Sequence, residues 1–266
     1  MIKKYTAVLK INWIQALEYR ANALVGVIAI LSGLLIEYQI WSLIFISQGL
    51  ESIKGFSFQE LMIFIFLSII VGQLKSSWHT SGEMIEGIRN GDINKYLIRP
   101  ISYFNYHFMM FIGVNSLYYT VYSFLLLFFI IIFPGLLFPS LINMIGFLAA
   151  LLISVFLSYS IYYIMICFAF WFGEVRAIVV AYNISMTIVS GQYIPIRLFP
   201  EYILDIIQFT PILYLVDFPV SVATGRMPLE SWGFHFMASI GWCAVMWCIG
   251  SLVYNRGIRN YEAYGS

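Results

Sequence analysis

Apolar residues run almost without a break through this chain, and the polar positions are confined to a few short interruptions. A helix needs about 20 predominantly apolar residues to cross ~30 Å of hydrocarbon. The pattern supplies six such stretches, from 22 or 23 to 47, then 61–77, 106–133, 141–172, 177–194 and 232–254. None shows the roughly ten-residue alternation of an outer-membrane barrel strand. The pattern therefore predicts an all-α polytopic membrane protein with six transmembrane helices in one domain, 1–266. The fourth stretch is longer than a bilayer requires, so it is expected to tilt or to project beyond it.

The interruptions carry the rest of the organisation. At the N-terminus, segment 1–21 places Ile2, Tyr5, Leu9, Trp13, Ala16 and Leu17 at three-to-four spacing, with Lys3, Lys10 and Arg20 away from that stripe. This spacing predicts a basic amphipathic helix lying in the membrane interface, the alternative being the ordinary overhang of the first span. Lys10, Asn12, Gln15, Glu18 and Arg20 break any signal-peptide core. The longest polar interruption, 78–103, carries both charge signs and glycines at Gly82, Gly87 and Gly91. Within it, Thr80 or Ser81 is expected to cap a helix through Glu83 to Arg89, with carboxylates early and Arg89 in the last turn. Gly91 then ends that helix, and 92–98 makes a second short turn before Pro100. A water-exposed helix and turn joined rigidly to two spans would act as a lever.

Segment 195–225 breaks the pattern differently. Pro195 and Pro200 stop the fifth span. Tyr202, Ile203, Ile206 and Ile207 then oppose Glu201, Asp205 and Gln208, as in a short amphipathic helix. After Pro211, the run 212–222 is apolar but too short to cross, and contains Asp217 and Pro219. Two segments of this length in series predict a re-entrant helical hairpin, which survives at membrane depth only when buried in protein or lining a cavity. Residues 173–176 form a short polar turn between the fourth and fifth spans.

Small residues give helix-packing stripes: Ala23, Gly26, Ala29 or Ile30, and Gly33 in the first span, and Ala238, Gly241, Ala244 and Cys248 in the last. Glu37 lies four residues after Gly33. Either it points into protein as a functional carboxylate, or it sits near the end of a tilted helix and reaches headgroups.

Composition agrees with this class. The chain is 61% hydrophobic and 10% charged, against about 25% charged in soluble domains, and its mean hydropathy is +0.87. A net charge of +1 gives no bulk attraction for nucleic acid. Placement of charge says more. With both termini in the cytoplasm, eleven of the fourteen Lys and Arg residues fall inside and only Lys54, Arg197 and Arg226 outside, while acidic residues divide six and six with Glu37 in the membrane. A bias in positive charge alone is the signature of orientation. Cys167, Cys243 and Cys248 lie within apolar stretches and suit packing rather than a disulfide or metal. The chain has no P-loop, no His-Glu-x-x-His and no Gly-x-Ser-x-Gly. Glu83, Glu86 and Arg89 share a face but lie in an aqueous loop, where a solvated surface is the simpler reading.

Two motifs resemble a known family. Ile88-Arg89-Asn90-Gly91-Asp92-Ile93-Asn94-Lys95-Tyr96-Leu97-Ile98-Arg99-Pro100 resembles the Gly-[Asp/Glu]-[Ile/Leu]-x-x-x-Leu-[Leu/Ile]-x-Pro signature after the second span of type-2 permeases of ATP-binding-cassette exporters. Ser190-Gly191-Gln192-Tyr193-Ile194-Pro195, followed by Phe199-Pro200 and Pro211, resembles the pattern after their fifth span. The resemblance covers essentially the whole chain and is nearest to small bacterial permeases with no fused ATP-binding domain. It implies a permease subunit of an exporter in the bacterial cytoplasmic membrane, both termini cytoplasmic, moving an amphipathic substrate such as a lipid, peptide or drug. It also implies two copies of a separate ATPase subunit that carries the ATP and Mg, no cofactor on this chain, and a second permease, identical or homologous. In that analogy 78–103 is a cytosolic coupling helix and loop. Glu83, Glu86, Arg89, Asp92, Lys95 and Arg99 would contact the ATPase, with Gly87, Gly91 and Pro100 shaping the loop. Gly191, Pro195, Pro200 and Pro211 would shape an outer gate. Asn115, Asn183, Ser185 and Thr187 would line the substrate path, or else make interhelical hydrogen bonds.

Rival readings predict different residues. An ion-coupled secondary transporter would need paired ionisable groups near the midplane, and Glu37 is the candidate it would use. An intramembrane enzyme would need a nucleophile and base, or a metal cluster, on facing spans, and none is evident in the sequence. A non-transporting assembly factor is the third reading.

Overall fold

A computed structural model describes residues 2–18, 20–98, 101–133, 135–259 and 261. In chain order it has α1 (Ile2–Glu18), α2 (Arg20–Gln48), a two-stranded hairpin β1 (Ser52–Ile53) and β2 (Phe56–Ser57), α3 (Phe58–Leu74), α4 (Trp78–Arg89), α5 (Asn94–Leu97), α6 (Tyr103–Ile132), α7 (Leu141–Cys167), α8 (Ala169–Phe172), α9 (Arg176–Val189), α10 (Glu201–Ile207), α11 (Asp217–Ala223) and α12 (Leu229–Arg259). Single 3-10 turns, Ile196–Leu198 and Pro211–Tyr214, flank α10. Four segments are long and apolar enough to cross a membrane: Arg20–Gln48, Tyr103–Ile132, Leu141–Phe172 and Leu229–Arg259. At the positions expected for the second and fifth spans stand two shorter apolar helices, α3 and α9.

The core forms around α3. Its capping box sets the start: Ser57 Oγ accepts from Glu60 N at 3.4 Å, and Glu60 Oε2 accepts from Ser57 N at 2.9 Å. Between Leu61 and Leu74 every residue except Met62 and Gln73 is buried. A helix apolar on all sides belongs in a protein core or in a bilayer, and α3 takes the first of these. It is enclosed by α2, α6 and α11, and α11 itself is buried at all seven positions. Its neighbours also tie to α7. Ser154 Oγ donates to Leu215 O at 2.6 Å, and Asn143 Nδ2 donates to Val222 O at 2.8 Å. Of the two short segments expected over 195–225, α11 is buried and seated on α3 and α7, whereas α10 is largely exposed, with only Ile207 buried and Tyr202, Ile206 and Phe209 outward.

Two packing faces differ from the sequence reading. On α12 the buried positions are Trp232, Ser239, Cys243, Gly250 and Gly257, while Gly241, Ala244 and Cys248 are exposed and Ala238 is half-buried. The reason lies on the partner helices. A Cβ at Gly250 would meet the Tyr163 ring at 3.0 Å, and one at Gly257 would meet Phe170 at 2.4 Å, so the glycines are where aromatic rings of α7 and α8 press closest. On α1 the stripe Tyr5, Leu9, Trp13 and Ala16 is half-buried, and the helix packs along α6. Gly113 of α6 permits this, because a Cβ there would lie 2.7 Å from Asn12 Cβ and 2.9 Å from Leu9 O. Ile11, Ile14 and Leu17 are left exposed on the other side of α1. In α2 the small-residue stripe holds in part: Ala23 and Ile30 are buried and Gly26 sits beneath Tyr122, but Gly33 faces open space.

The bundle has two polar ends. At one, which we term the hairpin end, Lys54 Nζ donates to Phe199 O at 2.9 Å, Arg197 Nη2 to Arg226 O at 3.1 Å, and Arg226 Nη1 to Gly55 O at 3.1 Å. Arg226 also pairs with Glu60 at 3.0 Å and lies 3.6 Å from the Phe56 ring centre. Burial pushes its guanidinium below the ordinary arginine range, and the nearby Glu60 carboxylate opposes that shift. At the other end lie α4, α5, the 173–175 turn and the end of α12, linked by Tyr261 OH donating to Ile88 O at 3.0 Å.

Candidate functional site

The α4 end gathers most of the charged residues singled out in the sequence. Helix α4 is amphipathic: Met84, Ile85 and Ile88 are buried at 1% exposure, and with Ile93 they pack on Tyr163, Ile166, Ala169, Phe170 and Val179. Glu83, Glu86 and Arg89 occupy its exposed face. The helix starts at Trp78, so Thr80 and Ser81 are buried interior residues rather than caps, and the N-cap Ser77 makes no side-chain capping bond. Only residues 75–77 separate α3 from α4, so the join and the packing of the apolar face set where α4 begins. Gly91, at φ +86°, ends the helix in the left-handed region that glycine occupies without strain. Gly87 has no such requirement, since a Cβ there would make only an ordinary 3.7 Å contact with Asp92. Arg99 and Pro100 lie outside the described residues.

Glu86 and Arg89 are already engaged within the chain. Arg176 pairs with Glu86 and, at 3.7 Å, with Glu174, and Arg89 Nη1 reaches Glu174 Oε2 at 3.2 Å. All four side chains remain about half exposed, at 47–50%. The run Glu86–Arg176–Glu174–Arg89 thus bolts the outer face of α4 to the turn that opens α9. Asp92 and Lys95 pair with each other at 3.5 Å. Between α4, α5 and α6 lies a cavity of about 240 Å³ lined by Glu83, Asp92, Lys95, Tyr106 and His107 among others. His107 is 5% exposed, with Nδ1 3.0 Å from Tyr103 O.

The four polar residues assigned to a path divide by their bonds. Asn183 accepts from Tyr162 OH of α7 and donates to Val179 O at 2.8 Å. Asn115 donates to Phe111 O at 2.9 Å and Thr187 to Ile184 O at 2.6 Å, both within their own helices. Ser185 is exposed on α9. Glu37 is half-buried and accepts from Trp41 Nε1 at 3.0 Å.

The segment after α9 is held by close approach. Gly191 has φ +86°, and a Cβ on it would lie 3.0 Å from Ile196 Cγ1. Pro195 precedes the first 3-10 turn, Pro200 is the N-cap of α10, and Pro211 starts the second turn. Gln192, 6% exposed, lies so near α3 that a Cβ at Gly72 would sit 2.4 Å from its Cδ. Asp217 is 3% exposed, and its Oδ2 accepts from Ser221 Oγ at 3.2 Å. Sequence reasoning treated Asp217 as a polar break and 173–176 as a bare turn. What singles out Asp217, Gln192, Glu174 and Arg176 is contact with distant helices, for which the sequence offers only their unusual polarity in apolar surroundings.

Comparison with known proteins gives one family. It is described as "ABC-2 family transporter protein" and matches residues 31–265. No curated protein matches the chain.

Proposed function

Because the chain belongs to the ABC-2 family of transporter proteins, we propose that it is the permease subunit of an exporter that moves an amphipathic substrate out of the cytoplasm. ATP is hydrolysed on a separate ATPase subunit present in two copies, which also binds the Mg. A second permease, identical or homologous, completes the pathway. In this reading α2, α3, α6, α7–α8, α9 and α12 are the six crossings of a bacterial cytoplasmic membrane, with α4 and both termini inside. The bias of Lys and Arg toward the α4 end supports that orientation, as does the gathering of Lys54, Arg197 and Arg226 at the other.

The observation that carries the proposal is the construction of α4. One face is sealed into the bundle by Met84, Ile85 and Ile88, while Glu83, Glu86 and Arg89 stay at the surface. A partner gripping that charged face would move the helix without unpacking it. Residues 191–211, with Gly191, Pro195, Pro200 and Pro211, form the outer gate, and Asn183, Ser185, Thr187, Asn115 and Glu37 are path residues to be tested. The test is gentle purification of the tagged protein from native membranes, with mass spectrometry and an ATPase assay. Co-purification of a P-loop subunit whose hydrolysis falls when α4 is mutated is the expected result. A chain recovered alone in several mild detergents refutes it.

A further inference from the structure

At the hairpin end, an apolar groove and a smaller cavity of mixed lining meet on α3. One is a groove of about 700 Å³ between α2, α3 and the end of α6, walled by Leu31, Leu35, Met62, Phe66, Phe129 and Phe133. That volume falls in the ~300–1,000 Å³ range of small-molecule sites. The other, about 280 Å³, places Glu60, Thr224 and Arg226 beside apolar Leu136 and Pro139. Ile63 lines both. We propose that the pair is a binding site for a phospholipid with a zwitterionic headgroup, one acyl chain lying in the groove and the headgroup in the polar mouth.

The groove selects a hydrocarbon chain because Gln59 and the Tyr38 hydroxyl are the only polar groups among its lining side chains. It opens beside Leu31 and Leu35, which are 40% and 64% exposed on a helix read as crossing the membrane. The mouth selects the headgroup. Glu60 and Arg226 stand 3.0 Å apart and form the only ion pair at this end among the described residues. The Glu60 side chain is 42% exposed and the Arg226 side chain 16%. Oε2 of Glu60 is occupied by Ser57 and Arg226, which leaves Oε1 for a headgroup ammonium, while Arg226, already donating to Gly55 O and Glu60, would meet the phosphate with its remaining N–H groups. A headgroup with a phosphate and no cation would set its charge against Glu60. The site does not rest on the export reading, since a permease for another cargo would hold the same lipid.

The probe is phosphatidylethanolamine carrying a photoactivatable diazirine on one acyl chain, in nanodiscs with the full chain. Label is expected to concentrate on residues 31–38, 58–66 and 129–133. Unlabelled phosphatidylethanolamine should compete on the order of tenfold better than phosphatidylglycerol, as a charge-assisted contact implies. Glu60→Gln keeps a capping-box residue at that position and should abolish the preference. Met62→Trp should remove label from the groove while leaving that on the exposed face of α12 unchanged. Label spread evenly over α2 and α12, or equal competition by the two lipids on the wild-type chain, overturns the proposal. So does cross-linking of two copies through groove residues with no lipid label, which would assign the face to a subunit contact.

Discussion

Replacing Gly72 by alanine tests the contact that seats the 191–211 segment on the core. In an ordinary buried helix the change would be neutral or helpful, since glycine costs about 1 kcal/mol against alanine in a helix interior. Here the added Cβ would lie 2.4 Å from both Cδ and Oε1 of Gln192 and 2.8 Å from Nε2. Gln192 is 6% exposed, so its amide must either re-seat among buried neighbours or force α3 or the loop to give. Overpacking of this kind destabilises by about 1–3 kcal/mol, which for a chain of this size lowers the thermal midpoint by roughly 2–4 °C per kcal/mol. Gln192→Ala removes the obstructing amide, so Gly72→Ala in that background should be harmless. The two changes are then coupled by roughly 0.5–3 kcal/mol, as for residues in contact. Intrinsic fluorescence unfolding of the four proteins in one detergent measures this directly. Strict additivity, or a single Gly72→Ala variant as stable as the parent, would refute the close approach and the docking of the loop with it.

Other expectations can be checked with the same preparations. Reversing charge at Glu86 and Arg89 together should uncouple ATP hydrolysis from transport by roughly 5- to 150-fold, the usual span of coupling energies, and unchanged transport by a well-expressed variant removes α4 from the mechanism. The single reversal Glu86→Arg sets two like charges together at Arg176, and transport should recover in part when Arg176→Glu is added, the remaining loss coming from the new carboxylate beside Glu174. Gly257→Leu should lower the unfolding temperature because Phe170 fills that space, whereas Gly241→Leu, with nothing within 4 Å, should leave it unchanged. Glu37→Gln keeps an acceptor for Trp41 but removes the charge, so it should alter substrate handling measured as initial transport rate, and full parental transport by a well-expressed variant takes Glu37 out of the path.

Four of the six expected spans were legible in the sequence because length and hydropathy are local properties, whereas the stretches 61–77 and 177–194 fall on the shorter helices α3 and α9. The expected ranges 106–133 and 141–172 overlie α6 and α7–α8 almost end to end, since length and hydropathy need no knowledge of neighbours. Packing faces were less legible. Gly241, Ala244 and Cys248 make a plausible stripe on α12, yet the face that packs is set by Tyr163 and Phe170, rings that belong to other elements. The capping role given to Thr80 and Ser81 failed for a related reason: burial of Met84, Ile85 and Ile88 outweighs one capping bond, so α4 begins a turn earlier. At the candidate site the exposed charges of α4 were identifiable by pattern. Their partners Glu174 and Arg176 lie 85 to 90 residues away, a distance over which sequence spacing carries no pairing information. Asp217 is buried by a hairpin whose seat on α3 and α7 is purely tertiary.

These contacts close a mechanical circuit that no single motif reveals. Helix α4 follows α3 after three residues, so displacing α4 must pull on α3. The same helix is bolted through Glu86 and Arg89 to Glu174 and Arg176, so displacing it must also pull on the start of α9. Helices α3 and α9 then meet again near the far end of α9, where Gln192 presses on Gly72 and a Cβ on Gly191 would lie 3.6 Å from Asp217 Cβ. A push on the charged face of α4 therefore reaches the 191–211 segment by two routes at once. If α3 and α9 move together, the Gly72–Gln192 contact is preserved and the segment is carried as a unit. If they move differently, that contact is the first to open, because the glycine leaves no side chain to hold the amide. Cutting the ion-pair route with Arg176→Ala and Glu174→Ala together, which removes both the Glu86 and the Arg89 pairs, should leave the α3 route intact and slow the cycle, whereas adding Gly72→Ala should compound the loss beyond the product of the separate effects. Independent effects on transport would show that the two helices do not act through their shared contact.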